Sequence, residues 1–458
     1  MTAATFRDPA GYVEFHPTTV RRHVHSAYVS PTRDFLQSPL LAGWLRDGRI
    51  VPTKVLADGG EELVLEHPRL FFSSYIWEWC PAQCRAAGEL TLELGLEAIA
   101  GGYVLKDATP LNVLFEGPRP VFVDVLSFEK REAHDALWLA QAQFIRTFLL
   151  PLLSQRYLSW PLAATQMRRD GYEPRQLYLA LSRFQRLYPR LLWPVTLPTW
   201  LERKANRPAA KSAHQLRRDP DLATDILQGA IAKLKRKIAQ AAPPLPASRW
   251  SEYTSTATHY SGEDLVKKEE FVSRALAETQ AATVLDVGAN TGNYSLLAAK
   301  SGARVVALDT DSTAVEHLWN KARAAELDVQ PLVADISRPT PAVGWENGES
   351  LSLLERLEQK FDLVLLLAVL HHLLLMDQIP LDRIAALFNR ISRRHVVVEW
   401  VPHGDPMFQF LLRGRDAIYG HLHLDAMLAA FEPFFNVRSR CDLANGRNLL
   451  LLEKRCTV

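Results

Sequence analysis

A glycine-punctuated break between an apolar run and a helix, Thr283 to Ser295 (TVLDVGANTGNYS), constrains this chain more than any other stretch. Val284 to Val287 is short and mostly apolar, which suits a buried parallel strand. The turn Gly288-Ala289-Asn290-Thr291-Gly292 comes next, and a helical pattern resumes from Tyr294 to Lys300. Strand, tight turn and helix together set backbone N–H groups and a helix N-terminus against a ligand. Gly288 and Gly292 are expected to let the main chain approach that ligand closely, since a Cβ would intrude. Asp286, at the strand's end, can accept hydrogen bonds from a cationic amino group, directly or through a water.

The strands beyond the turn narrow the ligand. A second apolar strand, Arg304 to Leu308, ends in Asp309, seventeen residues beyond Gly292. A carboxylate there is placed to take both hydroxyls of a ribose. A third strand, Val329 to Ala334, ends in Asp335, within reach of an adenine amino group, and a fourth, Phe361 to Val369, leads into His371 and His372. A nicotinamide-binding unit needs its glycines as G-x-G-x-x-G, and Asn290 stands in the middle of this turn instead. The succession resembles the class I S-adenosylmethionine-dependent methyltransferases. The resemblance implies an α/β, Rossmann-like, doubly wound C-terminal sheet with S-adenosyl-L-methionine as cofactor. It assigns the methionine moiety to the turn (Asp286, Gly288, Asn290, Gly292), the ribose to Asp309 and the adenine to Asp335.

At 458 residues the chain has room for two or three domains, each with its own core. A net charge of +2 argues against a protein built mainly for nucleic-acid or membrane electrostatics, so neither partner is expected. The four cysteines form no disulfide framework and stand in no Cys/His cluster, so no metal is expected and a reduced compartment is. The first residues have neither the basic flank nor the apolar core of a signal peptide. The longest apolar run, Leu363 to Met376, is interrupted by the two histidines and is too short for a bilayer. The expected location is cytoplasmic.

In the N-terminal half, residues 1 to about 35 read as irregular and polar, and residues 48–51 and 62–65 as two strands around a Gly59-Gly60 turn. An aromatic stretch (Phe71, Phe72, Tyr75, Trp77, Trp79) precedes a helix opened by Pro81 and running to Ala100. With no basic residues interleaved, the aromatics are expected in a core or domain interface, not a base-stacking platform. Asp107, Asn112 five residues later, and Asp124 at the end of a second short strand have the spacing of the catalytic loop and metal-binding Asp of kinase-like folds. There Asp107 would position a nucleophile while Asn112 and Asp124 held Mg²⁺. No glycine-rich phosphate loop precedes them, and Asp and Asn at turns also simply bond their own backbone.

The segments Tyr75-Ile76-Trp77-Glu78-Trp79, Leu105-Lys106-Asp107-Ala108, Arg119 to Asp124, Lys268 to Val272 and Glu399 to Met407 make the resemblance more specific. They are similar to a bacterial methyltransferase family labelled nodulation-protein (NoeA-like), over most of the chain from about residue 70. Ala289-Asn290 stands where many relatives carry Cys-Gly or Cys-Asn; Asn tolerates unusual backbone angles. The resemblance further implies that Lys268 meets the donor's carboxylate and that Tyr260 closes the pocket.

Residues 131–204 read as largely helical, with long segments over 138–157 and 172–192, and Asp221 to Ala241 as a further helix. The basic stretch Arg203 to Arg218, that helix and the stiff Ala242-Pro243-Pro244-Leu245-Pro246 run read as a connector. The expected division is therefore a helix-rich α+β module over 1–204, a linker over 205–250 and the methyltransferase domain over 251–458.

Methyl transfer from a sulfonium needs water exclusion and an aligned nucleophile. A hydroxyl or amine acceptor must also lose a proton to a base. Candidates cluster after strands four and five, where open α/β sheets bind ligands: His371, His372, Glu399, His403 and Asp405. The acceptor is expected to be a small molecule, with a homodimer or a carrier-protein partner left open. Two alternatives concern the N-terminal half, as a nucleotide-dependent phosphotransferase or sensor, or as a binding module for a carrier or macromolecular substrate.

Overall fold

A computed structural model describes residues 7–60, 62–202, 220–245 and 262–455. The chain divides into two units, residues 1–245 with 343–350, and residues 246–342 with 351–458.

The first unit opens on a four-stranded antiparallel sheet in the order β1 (Gly11–Phe15), β2 (Thr19–Val24), β4 (Glu62–Pro68), β3 (Lys54–Gly59). Its first two strands, and the helix Ser26–Leu36, fall where the sequence looks irregular. GYVEF and TVRRHV alternate over five or six residues only, around Pro17, and Pro31 lies inside the helix. The Gly59-Gly60 hairpin forms, but its first arm is β3; around residues 48–51 the pairing found among the described residues is an Ile50–Phe122 bridge.

The helix Pro81–Ala100 begins with Pro where no N–H is needed, and Gln83 accepts the Cys80 N–H at 3.0 Å. Trp77 and Trp79, just before it, are buried, as a core role requires. The helix Pro220–Ala239 packs on Pro81–Ala100: a Cβ on Gly88 would come within 2.3 Å of Ile238. That helix therefore belongs to the first unit and not to a connector. Two short ladders complete the strands of this unit, β5 (Tyr103–Leu105) with β8 (Phe128–Lys130), and β6 (Val113–Glu116) with β7 (Arg119–Phe122). The helix expected over 172–192 is cut into Pro174–Ala180, Gln185–Leu187 and Pro189–Leu191, because Leu181 turns to an extended conformation. Residues 343–350 also fall in this unit, where Glu349 accepts from Arg7 and, at 3.0 Å, from Arg169.

The second unit is built on a seven-stranded sheet in the order β11-β10-β9-β12-β13-β15-β14. The strands are β9 (Thr283–Val287), β10 (Arg304–Asp309), β11 (Val329–Val333), β12 (Phe361–Leu366), β13 (Ser392–Trp400), β14 (Phe435–Asp442) and β15 (Asn448–Lys454). The first five run parallel, and β15 is antiparallel to both its neighbours. Helices flank the parallel strands, so both faces are covered and the strands read as continuous apolar runs; Leu363 to Leu366 are fully buried. Each such side chain contributes roughly 1.5–3 kcal/mol relative to exposure. The chain runs outward from β9 through β10 to β11, then returns to lay β12 on the other side. The crevice at the carboxyl ends of β9 and β12 is thus the topological switch point, where open α/β sheets bind ligands.

Candidate active site

Three residues of the turn after β9 have left-handed backbone: Gly288 (φ 73), Asn290 (φ 50) and Gly292 (φ 85). A Cβ on Gly288 would come within 2.3 Å of Val369 Cγ2, and one on Gly292 within 2.1 Å of Leu318 Cδ1. The glycines are therefore required by backbone angle and by protein neighbours, before any ligand is considered. Gly288 and Ala289 donate their N–H groups to Leu308 O at 2.8 and 3.0 Å, which fixes the turn to the end of β10.

Asp309 completes that attachment. Its Oδ2 accepts the Asn290 N–H at 2.7 Å and its Oδ1 the Asp311 N–H at 2.8 Å. Burial raises its pKa, and the backbone donors work against that rise. Each oxygen has taken one backbone donor and keeps further lone-pair capacity, which fits a pair of neighbouring hydroxyls. Asp335 uses one oxygen, Oδ1, on the Ser337 N–H (2.8 Å) and hydroxyl (2.7 Å). Its Oδ2 takes no hydrogen bond among the described residues. Asp286 is buried beneath the turn and accepts from the Ser295 hydroxyl; burial pushes its pKa up to about 6. Tyr260 lies outside the described residues.

Lys268, on the helix Gly262–Thr279, is buried with its ammonium 2.6 Å from Glu399 Oε2 and 5.1 Å from the centre of the Tyr294 ring. Glu399 lies inside β13, not after it, and its Oε1 faces Arg447 Nη1 at 3.2 Å. Arg447 Nε reaches Asp405 Oδ2 at 2.8 Å, and the other oxygen of Asp405 caps the helix Pro406–Leu412 through the Met407 N–H. Two cations and two carboxylates thus alternate along one buried chain of contacts. Charge neutrality and mutual hydrogen bonds are what make burial of four ions tolerable. Arg447 looks in the sequence like any other arginine of the C-terminal region. No local motif marks it, because its partners are more than forty residues away.

His371 stands three residues beyond Ala368, whose left-handed backbone (φ 57) ends β12 early and leads into the helix Leu370–Leu375. The residue is 3 % exposed and neither ring nitrogen has a hydrogen-bond partner among the described residues. Burial, then the neighbouring His372, Arg447 and Lys268, holds its pKa well below the usual imidazole range. The His372 ring centre is 4.3 Å away; His372 Nδ1 meets Met376 Sδ at 3.2 Å, and burial lowers its pKa too. His403 is engaged elsewhere, with Nδ1 3.0 Å from Gln409 Nε2 and Nε2 3.4 Å from Asp416.

In the first unit, Asp107, Asn112 and Asp124 do come together. Asn112 Nδ2 donates to Asp107 O at 3.2 Å and to Ser127 Oγ at 3.0 Å, and Ser127 donates to Asp124. The cation facing Asp124 is Arg22, with Nη1 2.8 Å from Oδ1. Among the described residues no group of three His, Cys, Asp or Glu is arranged to hold a metal.

Residues 284–390 match the family described as a methyltransferase domain, and with this fold the chain is an S-adenosylmethionine-dependent methyltransferase. Over its whole length the chain is similar to the nodulation protein NoeA of Rhizobium meliloti (strain 1021), at 28% identity over 470 residues, covering 99% of this chain and 96% of that protein. Among solved structures, the N-methyltransferase NodS from Bradyrhizobium japonicum WM9 matches at 13% identity and a TM-score of 0.32, over 43% of this chain and 99% of that one. The PH0226 protein from Pyrococcus horikoshii OT3 matches at 14% identity and a TM-score of 0.31, over 43% and 94%.

Proposed function

We propose that the second unit methylates a small-molecule acceptor through a hydroxyl or amine whose proton passes to His371. The observation that carries this reading is the buried imidazole, both of whose ring nitrogens are unpartnered among the described residues, on the segment that closes over Gly288. Burying a polar group without a partner costs on the order of 1–3 kcal/mol, a cost that substrate binding would relieve. S-adenosylmethionine supplies, when bound, an electrophilic methyl group on a sulfonium. Asp309 would hold the ribose hydroxyls with its remaining lone pairs, Asp335 Oδ2 the adenine amino group, and the turn from Gly288 to Gly292 the amino-acid end. Lys268 is neutralised by Glu399, so its part in holding the donor is indirect, through the placement of Tyr294 and β13.

His371 is neutral throughout the physiological range, which is the form that accepts a proton. Burial keeps it so first, then His372, with like-charge repulsion from Arg447 and Lys268 adding to it, while Glu399 keeps those two cations in place. Glu399 is on this reading a positioning residue. For the first unit we propose a role in acceptor choice and not phosphoryl transfer, because the charge of Asp124 is already balanced by Arg22.

Isothermal titration with S-adenosylmethionine, paired with turnover on candidate acceptors, tests the whole. Donor binding that is weakened at least about tenfold in Asp309→Ala and kept in His371→Asn, with turnover falling in both, is the expected pattern. Binding indifferent to Asp309→Ala removes the donor assignment.

A further inference from the structure

Between Pro174 and Leu201 the first unit contains no acidic residue, yet it contains Arg175, Arg183, Arg186 and Arg190. The same stretch exposes large apolar side chains: Phe184 at 82%, Leu201 at 65%, Leu179 at 61% and Leu187 at 60%. These segments share one neighbourhood. Trp200 Nε1 donates to Tyr178 OH at 3.1 Å, and the Arg186 guanidinium lies over the Tyr178 ring at 4.3 Å. The basic edge continues onto the helix Pro220–Ala239, where Lys233 and Lys237 stand 5.4 and 4.9 Å from the Trp193 ring.

Single exposed apolar residues are ordinary, but a group of them interleaved with four arginines, with the nearest carboxylates, Glu173 and Glu202, only at the two ends of the stretch, is not. Folding leaves these side chains in water and gives the arginines of the patch no carboxylate from their own stretch. The two halves of the pattern select one kind of occupant. Phosphates would satisfy the guanidinium groups, and an acyl boundary would cover the leucines, the phenylalanine and the tryptophan rim. A nucleic acid offers the first and nothing for exposed Leu179, Leu187 and Leu201.

We propose that this face of the first unit docks on an anionic lipid bilayer. The apolar tips enter the boundary between headgroups and acyl chains, and the arginines pair with lipid phosphates. No helix among the described residues is long and apolar enough to cross a membrane, so the association is peripheral. The near balance of 53 basic and 51 acidic residues hides this face from any whole-chain charge argument, because the asymmetry is local.

Flotation of the full chain with vesicles decides the matter. Vesicles of phosphatidylcholine containing about one-third phosphatidylglycerol are expected to carry at least about tenfold more protein than pure phosphatidylcholine, less so at high salt. Phe184→Glu with Leu187→Glu, both at the surface, is expected to reduce that to the phosphatidylcholine level while leaving thermal unfolding and S-adenosylmethionine binding unchanged. Equal flotation on both vesicle types overturns the proposal, as does full flotation of the double variant. So does a lipid-free dimer in sedimentation that the double variant abolishes, since the face would then belong to a second copy of this chain.

Discussion

Lys268 Nζ lies 2.6 Å from Glu399 Oε2, and both side chains are closed to solvent. The pair ties the helix Gly262–Thr279 to the inside of β13, so an electrostatic contact and the packing of the sheet stand or fall together. Removing one partner strands the other. Lys268→Met is expected to lower stability by about 3 kcal/mol, the lower end for a broken buried pair because Arg447 still faces Glu399. Adding Glu399→Gln removes the stranded charge and is expected to restore more than half of that loss. Urea unfolding of the two variants measures both numbers.

Gly292 is doubly constrained, by its backbone angle and by Leu318. Gly292→Ala is expected to cost at least about 2 kcal/mol, from strain plus the clash. Leu318→Ala in the same chain relieves the clash and not the angle, so the penalty of the glycine substitution falls only in part and the cavity left by Leu318 adds its own. Thermal melts of the single and double variants separate the two contributions.

Asp309 joins the glycine turn to β10 and, on the reading proposed above, holds a ribose with its remaining lone pairs. Asp309→Ala is expected to weaken S-adenosylmethionine binding by roughly 10–100-fold, since charge-assisted hydrogen bonds to two hydroxyls are lost. Asp309→Asn keeps one acceptor oxygen and is expected to fall between. Calorimetric titration reads both.

Asp286 gives a pH dependence with a definite sign. Its pKa is about 6 when folded, against an ordinary aspartate value of 3.8. Between those values the folded chain holds a proton that the unfolded chain has released, so this group favours folding at low pH and stops doing so as pH rises through 6. Asp286→Asn is expected to stabilise the protein at pH 8, by no more than about 3 kcal/mol for a gap of about two pKa units. The gain is expected to shrink below about pH 6 and vanish below about 4. Denaturant titrations at about pH 4, 6 and 8 check the slope.

His371 sets the expected rate profile. A ring whose pKa lies well below 6.5 is already neutral at pH 6.5, so turnover is expected to be level from there to about pH 8 as far as this group is concerned. His371→Asn is expected to cost roughly 10²–10⁴ in kcat with the donor affinity unchanged. A descending limb centred near pH 6.5 would contradict the buried, depressed imidazole.

The second unit is the legible part. Its strands are short apolar runs ending in charged or glycine residues, and β9, β10 and β11 begin and end within one residue of the sequence reading. Where sequence and structure part, a long-range cause is identifiable. β12 stops at Leu366 because Ala368 turns left-handed, and alanine carries no local warning of that. Glu399 reads as a loop residue after a strand, but the ladder with β15, which pairs Glu399 with Leu449 and Trp400 with Asn448, carries β13 past it. In the first unit, β1 and β2 are five and six residues long with weak alternation, and they become strands only because β4 pairs with β2. The helix Pro220–Ala239 looks like part of a connector because its apolar face, Leu227, Ile231, Leu234 and Ile238, meets a helix more than a hundred residues earlier.

The place of β15 carries a consequence for how the enzyme is made. It lies between β13 and β14, so the slot beside β13 stays vacant until the chain beyond residue 447 has cleared the ribosome. Arg447, the residue immediately before that strand, arrives with it. A nascent polypeptide can therefore already own the glycine bend and every acidic strand tip while Glu399 and Asp405 wait for their guanidinium, which makes this buried ion chain one of the last parts of the unit to be assembled.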